Sequence, residues 1–224
     1  MPLTVDKRYR YLYKPLVFIA CLIPLGWALG GILAPSGLLP PLPLFDLGAD
    51  PVRKVLGIVG KTTLNLLLIT LAVTPLRQIT GNGNLIRLRR MLGVFAFFYA
   101  CLHFLVYLGP FQAFSWDAIV RDIVKRPYIT LGFTALLMLI PLAATSTNAM
   151  MRRLKRRWQT LHRLIYPIAI LGVWHYWWQV KQDIREPLIY ASILAVLLGW
   201  RLWQWQQRRV TTSKSAPPTA PEKT

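Results

Sequence analysis

Acidic residues and cysteines are scarce in this chain of 224 residues. It contains 8 acidic residues against 27 basic ones, only 2 cysteines, and charged residues make up just 16% of the total. Hydrophobic residues account for 54%, and the mean hydropathy is positive. This composition excludes a soluble nucleic-acid-binding protein and a disordered basic tail, in spite of the net charge of +19, and it is typical of a membrane protein.

Six windows of mostly apolar residues, almost free of charge, have the length of about 20 residues that a helix needs to cross the hydrocarbon core. These windows are 16–34, 55–74, 92–109, 128–145, 161–180 and 187–204. Short connections join them and leave no room for a second globular domain. We therefore predict an all-α membrane protein, a six-transmembrane-helix bundle over residues 1–205, followed by a disordered cytoplasmic tail at 206–224.

The first window has an alternative interpretation as a cleaved signal peptide. Basic residues at 7–14 precede an apolar run that ends in small residues, which is the pattern of such a leader. The run is also long enough to span the membrane. Its removal would reverse the topology that the remaining charges support.

The distribution of basic residues predicts the orientation of the bundle. With the N-terminus in the cytoplasm, nineteen of the 27 basic residues lie on inner segments, and six of the eight acidic residues lie outside. Basic residues favour the cytoplasmic side, so we predict that both termini face the cytoplasm. The inner clusters also suit the headgroups of anionic membrane lipids.

The cysteines indicate packing rather than chemistry. Cys21 and Cys101 both fall within predicted spans, which disfavours a structural disulfide. Residues 101–103 read Cys-Leu-His, which is not the Cys-x-x-Cys-His pattern that attaches haem covalently. Any haem would therefore be held non-covalently.

The three histidines all lie in predicted spans. His103 and His175 fall at similar depth in the outer halves of the third and fifth spans, whereas His162 lies near the cytoplasmic end of the fifth. A single histidine there can hydrogen-bond a neighbouring helix or carry protons. Two imidazoles at equal depth on different helices can ligate one haem iron from opposite faces. His162 and His175 are about 140° apart on an ideal helix, an angle that Pro167 between them can alter.

Several short segments, in their order and spacing, resemble a known family. They are LGADPV at 47–52, TPLR at 74–77, IRLRRMLG at 86–93, RPYITLG at 126–132, ATSTNAM at 144–150, WQTLHRLIY at 158–166, HYWW at 175–178 and PLIYA at 187–191. By them the chain is identified as a member of the MsrQ family, the haem-binding membrane subunits of bacterial periplasmic methionine-sulfoxide reductases. This family lies within the ferric-reductase-like transmembrane superfamily, and the resemblance covers nearly the whole chain.

The resemblance implies an electron-transfer subunit of a two-component reductase in the bacterial inner membrane. It implies one or two b-type haems, with FMN as a candidate second cofactor, and quinol or a cytoplasmic flavin reductase as the electron donor. The acceptor it implies is a periplasmic molybdenum-containing catalytic subunit that reduces methionine sulfoxide in proteins. No nucleic acid is expected as a partner.

The resemblance also assigns roles to individual residues. His103 matches the family's histidine on the third helix, and His162 and His175 match its two histidines on the fifth, all as axial ligands of haem iron. Superfamily relatives with two haems carry a second histidine on the third helix, where this chain has Arg89 and Arg90. His162 then either binds an iron with an unusual or missing partner, or contacts a propionate, a quinone or a flavin phosphate.

Basic residues near the spans are further candidates for cofactor binding. Arg77, Arg89 and Arg90 can bind propionate or phosphate groups in bidentate fashion. The alternative is that they only anchor the inner ends of the helices. Lys61 in the second span either extends to the outer interface or approaches a propionate. The proline-rich stretch 35–51 either docks a partner or forms a stiff loop over the bundle.

Two other functions compete with the electron conduit: a quinol-dependent ferric reductase without a protein acceptor, and a proton- or metal-coupled transporter. The spans contain no aspartate or glutamate to share a proton or bind a cation, which disfavours the transporter. A bis-histidine iron has no open coordination site and suits electron transfer. No fused FAD or NAD domain fits in the chain, so electrons must come from a separate molecule.

Overall fold

The computed structural model describes residues 9–36, 45–180 and 183–214, and within these ranges it contains helices and no strands. The α-helices, which we number in chain order, are α1 Lys14–Leu33, α2 Pro51–Thr80, α3 Leu85–Val106, α4 Trp116–Lys125, α5 Pro127–Ala144, α6 Asn148–Leu154, α7 Arg156–Leu161, α8 Ile165–Gln179 and α9 Arg185–Lys214. The chain is therefore all-α, as predicted.

Five helical segments in the described ranges are long and apolar enough to cross a membrane. They are Tyr11–Leu33, Pro51–Thr80, Leu85–Phe111, Pro127–Ala144 and Arg185–Gln207. This result agrees with a multi-pass membrane protein and matches five of the six predicted windows. The remaining window, 161–180, holds a 3₁₀ turn and then α8, which has 15 residues. The count of six spans stays a prediction.

Two predicted features extend beyond the described residues. Residues 37–44 of the proline-rich stretch and residues 215–224 of the predicted tail lie outside the described ranges. Helix α9 continues to Lys214, nine residues into the segment predicted to be a disordered tail. The division of the chain into a bundle and a tail stays a prediction.

Local interactions explain where α2, one of the longest helices, begins and ends. At the start of α2, the Asp50 side chain accepts a hydrogen bond of 3.0 Å from the backbone N–H of Arg53, and Pro51 occupies the first helical position. Both features satisfy or remove donors that a helix start leaves unpaired. At the other end, Gly81 adopts φ 67°, a left-handed conformation that ends the helix.

The connection between α5 and α8 consists of two short helices. Thr147 caps α6 by accepting from Met150 N–H at 3.2 Å, and Lys155, at φ 48° and ψ −116°, separates α6 from α7.

A third short helix, α4, precedes α5. It is capped by Ser115 and carries the strongly exposed side chains of Trp116 and Val124. None of these three helices was predicted, because a search for apolar windows of about 20 residues passes over short amphipathic helices.

Tyr99 joins α3 to α1 at the place where α1 contains a proline. Its hydroxyl donates to the carbonyl of Cys21 at 2.6 Å and accepts from the N–H of Leu25 at 3.1 Å. These two backbone groups would otherwise bond to each other, since they are four residues apart in α1, a continuous helix that contains Pro24. The fully buried tyrosine thereby satisfies both groups and fixes the position of α1.

The helices that matter for the site form two packed pairs. Helix α2 runs along α3, and α5 runs along α8, with one hydrophobic core that includes Leu67, Tyr99, Leu139 and Ile168. We call the end of the bundle that contains Asp50 and α4 the outer end. The opposite end, which contains Gly81, is called the inner end. Each helix pair carries one histidine toward the other pair.

Candidate functional site

His103 on α3 and His175 on α8 face each other across the bundle. Their ring centroids are 6.1 Å apart and the ring planes are perpendicular. Sequence reasoning placed these residues at equal depth on two helices, and the structure brings them together as that reasoning expected. Both side chains line one cavity.

Backbone carbonyl groups fix the orientation of both rings. The Nδ1 atom of His103 lies 3.0 Å from the carbonyl oxygen of Leu56 on α2, and Nδ1 of His175 lies 2.6 Å from that of Tyr128 on α5. A carbonyl only accepts, so each Nδ1 carries the proton and donates. Each Nε2 is left with its lone pair, the state in which a histidine binds a metal.

Glycines make the close approach of each histidine possible. A Cβ atom at Gly60 on α2 would lie 2.9 Å from Nδ1 of His103, and one at Gly132 on α5 would lie 2.8 Å from Nδ1 of His175. Contacts this short do not occur between real side chains, so any larger residue would displace the ring. The two glycines therefore position the histidines, and sequence reasoning did not identify them.

The separation of the rings fits one metal between them. With metal–nitrogen bonds of about 2.1 Å and each ring centre about 1 Å behind its nitrogen, two opposed imidazoles on one metal have centroids about 6 Å apart. The observed separation is 6.1 Å. No group of three or more His, Cys, Asp or Glu side chains within the described ranges is placed to hold a metal ion. Two histidines alone suit a haem, whose macrocycle supplies the remaining ligands.

The cavity around the histidines has the size and lining that a macrocycle needs. Its volume is about 1150 Å³, above the range of roughly 300–1,000 Å³ that is usual for small-molecule sites. Apolar and aromatic side chains line most of it, including Leu64, Leu67, Phe104, Phe133, Leu139 and Ile168. The residues present therefore fit a non-covalently held haem.

His162 lies apart from the facing pair. Its Nε2 atom is 3.0 Å from the hydroxyl of Thr145, and its ring stacks on Trp158 with centroids 3.9 Å apart. The helix does not continue smoothly from His162 to His175, because the turn His162–Leu164 is 3₁₀ and α8 begins after it. The break precedes Pro167 rather than occurring at it. A role for His162 as an iron ligand stays a prediction.

The predicted arginines have different surroundings at the inner end. Arg90 donates to the side-chain oxygen of Asn148 and approaches the sulfur of Met151 at 3.5 Å, which ties α3 to α6. Arg89 interacts with the hydroxyl of Tyr166. Arg77 is exposed in the last turn of α2. Cofactor binding by these three residues stays a prediction.

Arg201 is an inner residue that sequence reasoning counted only as a topological charge. Its Nη2 donates to the hydroxyl of Thr74 at 2.8 Å, and its guanidinium lies 5.3 Å from the ring centre of Tyr166. Its Nε is buried and has no hydrogen-bond partner among the described residues. Because Tyr166 also engages Arg89, two guanidinium groups meet at this tyrosine.

Lys61 forms an ion pair that the sequence did not predict. Its ammonium group is 2.5 Å from a carboxylate oxygen of Glu186 on α9, and the hydroxyl of Tyr176 on α8 donates to the same oxygen. Lys61 also lines the cavity of the facing histidines. Lys61 therefore lies beside the histidine site, one residue after Gly60, and a contact with a propionate stays a prediction.

Comparisons with known proteins agree with the geometry. Residues 56–173 match the family described as "Ferric reductase like transmembrane component". The matched segment contains His103 and His162 and ends two residues before His175.

Three relatives share the printed name "Protein-methionine-sulfoxide reductase heme-binding subunit MsrQ". The protein from Xanthomonas campestris pv. campestris (strain 8004) is 60% identical over 175 residues, which cover 78% of this chain and 80% of the relative. The protein from Xanthomonas axonopodis pv. citri (strain 306) is 58% identical over the same shares. That from Herminiimonas arsenicoxydans is 49% identical over 205 residues, or 88% of each chain. The chain therefore belongs to the MsrQ family of ferric-reductase-like transmembrane proteins.

Proposed function

We propose that the chain is the transmembrane electron-transfer subunit of a two-component methionine-sulfoxide reductase. The observation that carries this proposal is the facing pair His103 and His175, each with Nδ1 bonded to a carbonyl, which leaves Nε2 as the metal-binding atom, and both lining one largely apolar cavity. A b-type haem held there supplies a one-electron couple. Two histidine ligands leave the iron no open position, which suits electron transfer rather than oxygen chemistry.

The surrounding residues would hold the cofactor in place and keep its site dry. The carbonyls of Leu56 and Tyr128 fix the tautomer of each ligand and raise its basicity. Gly60 and Gly132 set the ring positions. Leucine and aromatic side chains form much of the cavity lining, and the low dielectric that they provide would tune the potential of a bound iron.

The proposed membrane arrangement has six spans, with α8 and the turns before it as the fifth, and both termini in the cytoplasm. The chain then lies in the bacterial inner membrane with its outer end in the periplasm. In the described ranges all acidic residues lie at the outer end, while the arginine-rich α6–α7 connection lies at the inner end, in keeping with the positive-inside rule.

Electrons would enter near the inner end from quinol or a cytoplasmic flavin reductase, with FMN as a candidate second cofactor. Arg77, Arg89 and Arg90 are the proposed contacts for a phosphate or propionate there. His162 would serve this donor side or ligate a second haem. The acceptor would be a periplasmic molybdenum-containing catalytic subunit, a role that rests on the names of the relatives and on the family resemblance.

The test is a two-step electron-transfer assay on the purified protein in detergent. Addition of a quinol such as menadiol should reduce the haem. Addition of a small catalytic amount of the periplasmic catalytic subunit with a methionine-sulfoxide peptide should then reoxidise it fully, and without the peptide reoxidation should stop once the added subunit is itself reduced. Reoxidation by ferric citrate alone, with no response to the catalytic subunit, would instead favour a ferric reductase.

A further inference from the structure

The two halves of the histidine site repeat at a constant offset of 72 residues. Equivalent positions at this offset are His103 and His175, Gly60 and Gly132, and the two carbonyl residues Leu56 and Tyr128. Helix pair α2–α3 and helix pair α5–α8 therefore present the same elements to the cavity from opposite sides. The site has an approximate two-fold symmetry that relates its two histidines.

The same offset relates two short charged motifs at the outer end. DPVRK at 50–54 corresponds to DIVKR at 122–126, so Arg53 and Lys125 correspond in sequence, with Arg53 in the first turn of α2 and Lys125 at the end of α4. Both line the cavity of the facing histidines. The equivalent aspartates each pair with a basic residue of their own motif, Asp50 with Arg53 at 3.3 Å and Asp122 with Arg126 at 3.4 Å.

Most of the charged residues of the cavity lie at its outer rim, and Lys61, one residue after Gly60 and so at the depth of His103, is paired with Glu186. The ionisable lining residues other than the histidines and tyrosines are Arg53, Lys61, Lys125, Arg126 and Asp183, so basic residues prevail there. The deeper lining is apolar, with Leu64, Leu67, Leu139 and Ile168. A carboxylate buried among the leucines would lack any partner, at a large desolvation cost. The basic residues at the outer rim are therefore the partners that the cavity offers to the two carboxylates of a haem.

The distance from the histidines to the rim suits this orientation. Arg53 precedes Gly60, and Lys125 precedes Gly132, by seven residues each. In α2 this spacing is about 10 Å along the helix axis. The Arg53–Asp50 pair does not compete strongly for the guanidinium, because both side chains are more than half exposed. Lys125 forms no ion pair in the described part of the chain.

We propose that Arg53 and Lys125 form a symmetric cradle at the outer rim that binds the two propionate groups of the haem, one propionate each. The proposal rests on the proposed function, since it requires haem between His103 and His175. It adds the orientation of the haem, whose carboxylate edge then faces the outer end. An acceptor that docks at this end meets that edge first.

The proposal can be tested first without any mutation. Apo-protein in detergent is titrated with haemin and, separately, with haemin dimethyl ester, in which both propionates are uncharged. We expect the wild-type protein to bind haemin at least ten-fold more tightly than the ester. Equal affinity for the two porphyrins would overturn the cradle. Failure of both porphyrins to give a bis-histidine spectrum would instead refute the proposed function.

Variants then assign the preference to the two residues. Arg53→Gln and Lys125→Gln should each reduce the preference for haemin, and the double variant should abolish it, while the ester still binds with wild-type affinity. Arg121→Gln is the matched control, because Arg121 is an exposed outer cation that does not line the cavity. The double variant should also lower the haem midpoint potential, since lost positive charge favours ferric iron. A double variant that keeps the full preference would overturn the assignment.

Discussion

Gly60 and Gly132 are the residues on which the histidine geometry depends most directly. A methyl group at either position would overlap Nδ1 of the facing histidine, at 2.9 Å and 2.8 Å respectively, and would break the hydrogen bond from that ring to the backbone carbonyl. Because the neighbour in each case is an imidazole ring held by a hydrogen bond to a backbone carbonyl, the contact cannot relax without moving that histidine. The effect of a substitution should therefore appear in cofactor binding.

We expect Gly60→Ala and Gly132→Ala each to lower haem occupancy of the purified protein by ten-fold or more. Gly93→Ala on α3 is the control, since no atom of the described residues lies within 4 Å of a Cβ there and Gly93 does not line the cavity. Alanine is favoured over glycine in a helix by about 1 kcal/mol, so the control should be as stable as the wild type or more so. Haem per chain is measured as pyridine haemochrome. Full occupancy in both site variants would contradict the role of the glycines.

The facing histidines should behave as one site. His103→Ala and His175→Ala are each expected to abolish the same haem signal, because an imidazole is lost from one iron in either case. His162→Ala should leave that signal in place and affect a separate signal or only reduction by the donor. Reduced-minus-oxidised absorption spectra of the three variants distinguish these outcomes. If His103→Ala and His175→Ala removed different signals, the pairing would be wrong.

The two facing histidines could be predicted from the sequence, but the carbonyl groups and glycines that hold them in place could not. His103 and His175 were identified because ionisable residues in apolar windows are rare and helical rise gives their depth. The carbonyls of Leu56 and Tyr128 carry no side-chain signature, and the two glycines look like any others. A comparison of the sequence with itself at an offset of 72 residues would have paired Gly60 with Gly132 and Arg53 with Lys125.

At the scale of elements, the contact between α3 and α1 can be tested directly. Tyr99→Phe removes a hydroxyl that satisfies both Cys21 C=O and Leu25 N–H in a buried place. Unsatisfied buried groups cost about 1–3 kcal/mol. We expect a clearly lower melting temperature in detergent, measured by circular dichroism. Tyr190→Phe, which loses an exposed bond to Asn65, should cause a smaller shift; equal shifts would contradict this account.

The positions of helices were predictable where the sequence contains a long apolar run, and less predictable elsewhere. Helices α1, α2 and α5 coincide with the predicted windows 16–34, 55–74 and 128–145. The ends of these helices extend into capping residues, which a search for apolar runs does not detect. The window 161–180 is divided because the turn at His162 is 3₁₀, a conformational detail that hydropathy does not encode. Helix α4 was not predicted from the sequence, because its apolar residues occupy one face only.

At the scale of the whole molecule, the orientation in the membrane is the prediction with the widest consequences, because it decides which side donates and which side accepts electrons. We expect Asp117→Cys, at the outer end, to react with a membrane-impermeant maleimide in spheroplasts. Gly83→Cys, at the inner end, should react only after the membrane is opened. The wild-type protein, with Cys21 buried and Cys101 partly buried, is the background control. The reverse labelling pattern would invert the proposed direction of electron flow.

The approximate symmetry of the molecule relates individual residues, helix pairs and the two sides of the cavity. Two helix pairs with equivalent histidines, glycines and outer basic residues enclose one cavity, and nothing equivalent is present at the inner end, where Arg90 and His162 are the positions related by the same offset. Arg90 binds Asn148, and His162 contacts Thr145, so the two side chains have separate partners. The described structure therefore contains one facing pair of histidines, and the inner positions related by the same offset form none.

The most direct test of the central claim is a dithionite-reduced minus oxidised absorption spectrum of the purified protein in detergent, with haem per chain quantified as pyridine haemochrome. The account predicts a sharp b-type spectrum with at least one haem per chain, and it assigns the first haem to His103 and His175. A featureless spectrum from folded protein, produced with an adequate supply of haem, would contradict it, and the facing histidines would then have to be explained as a relay or as packing residues.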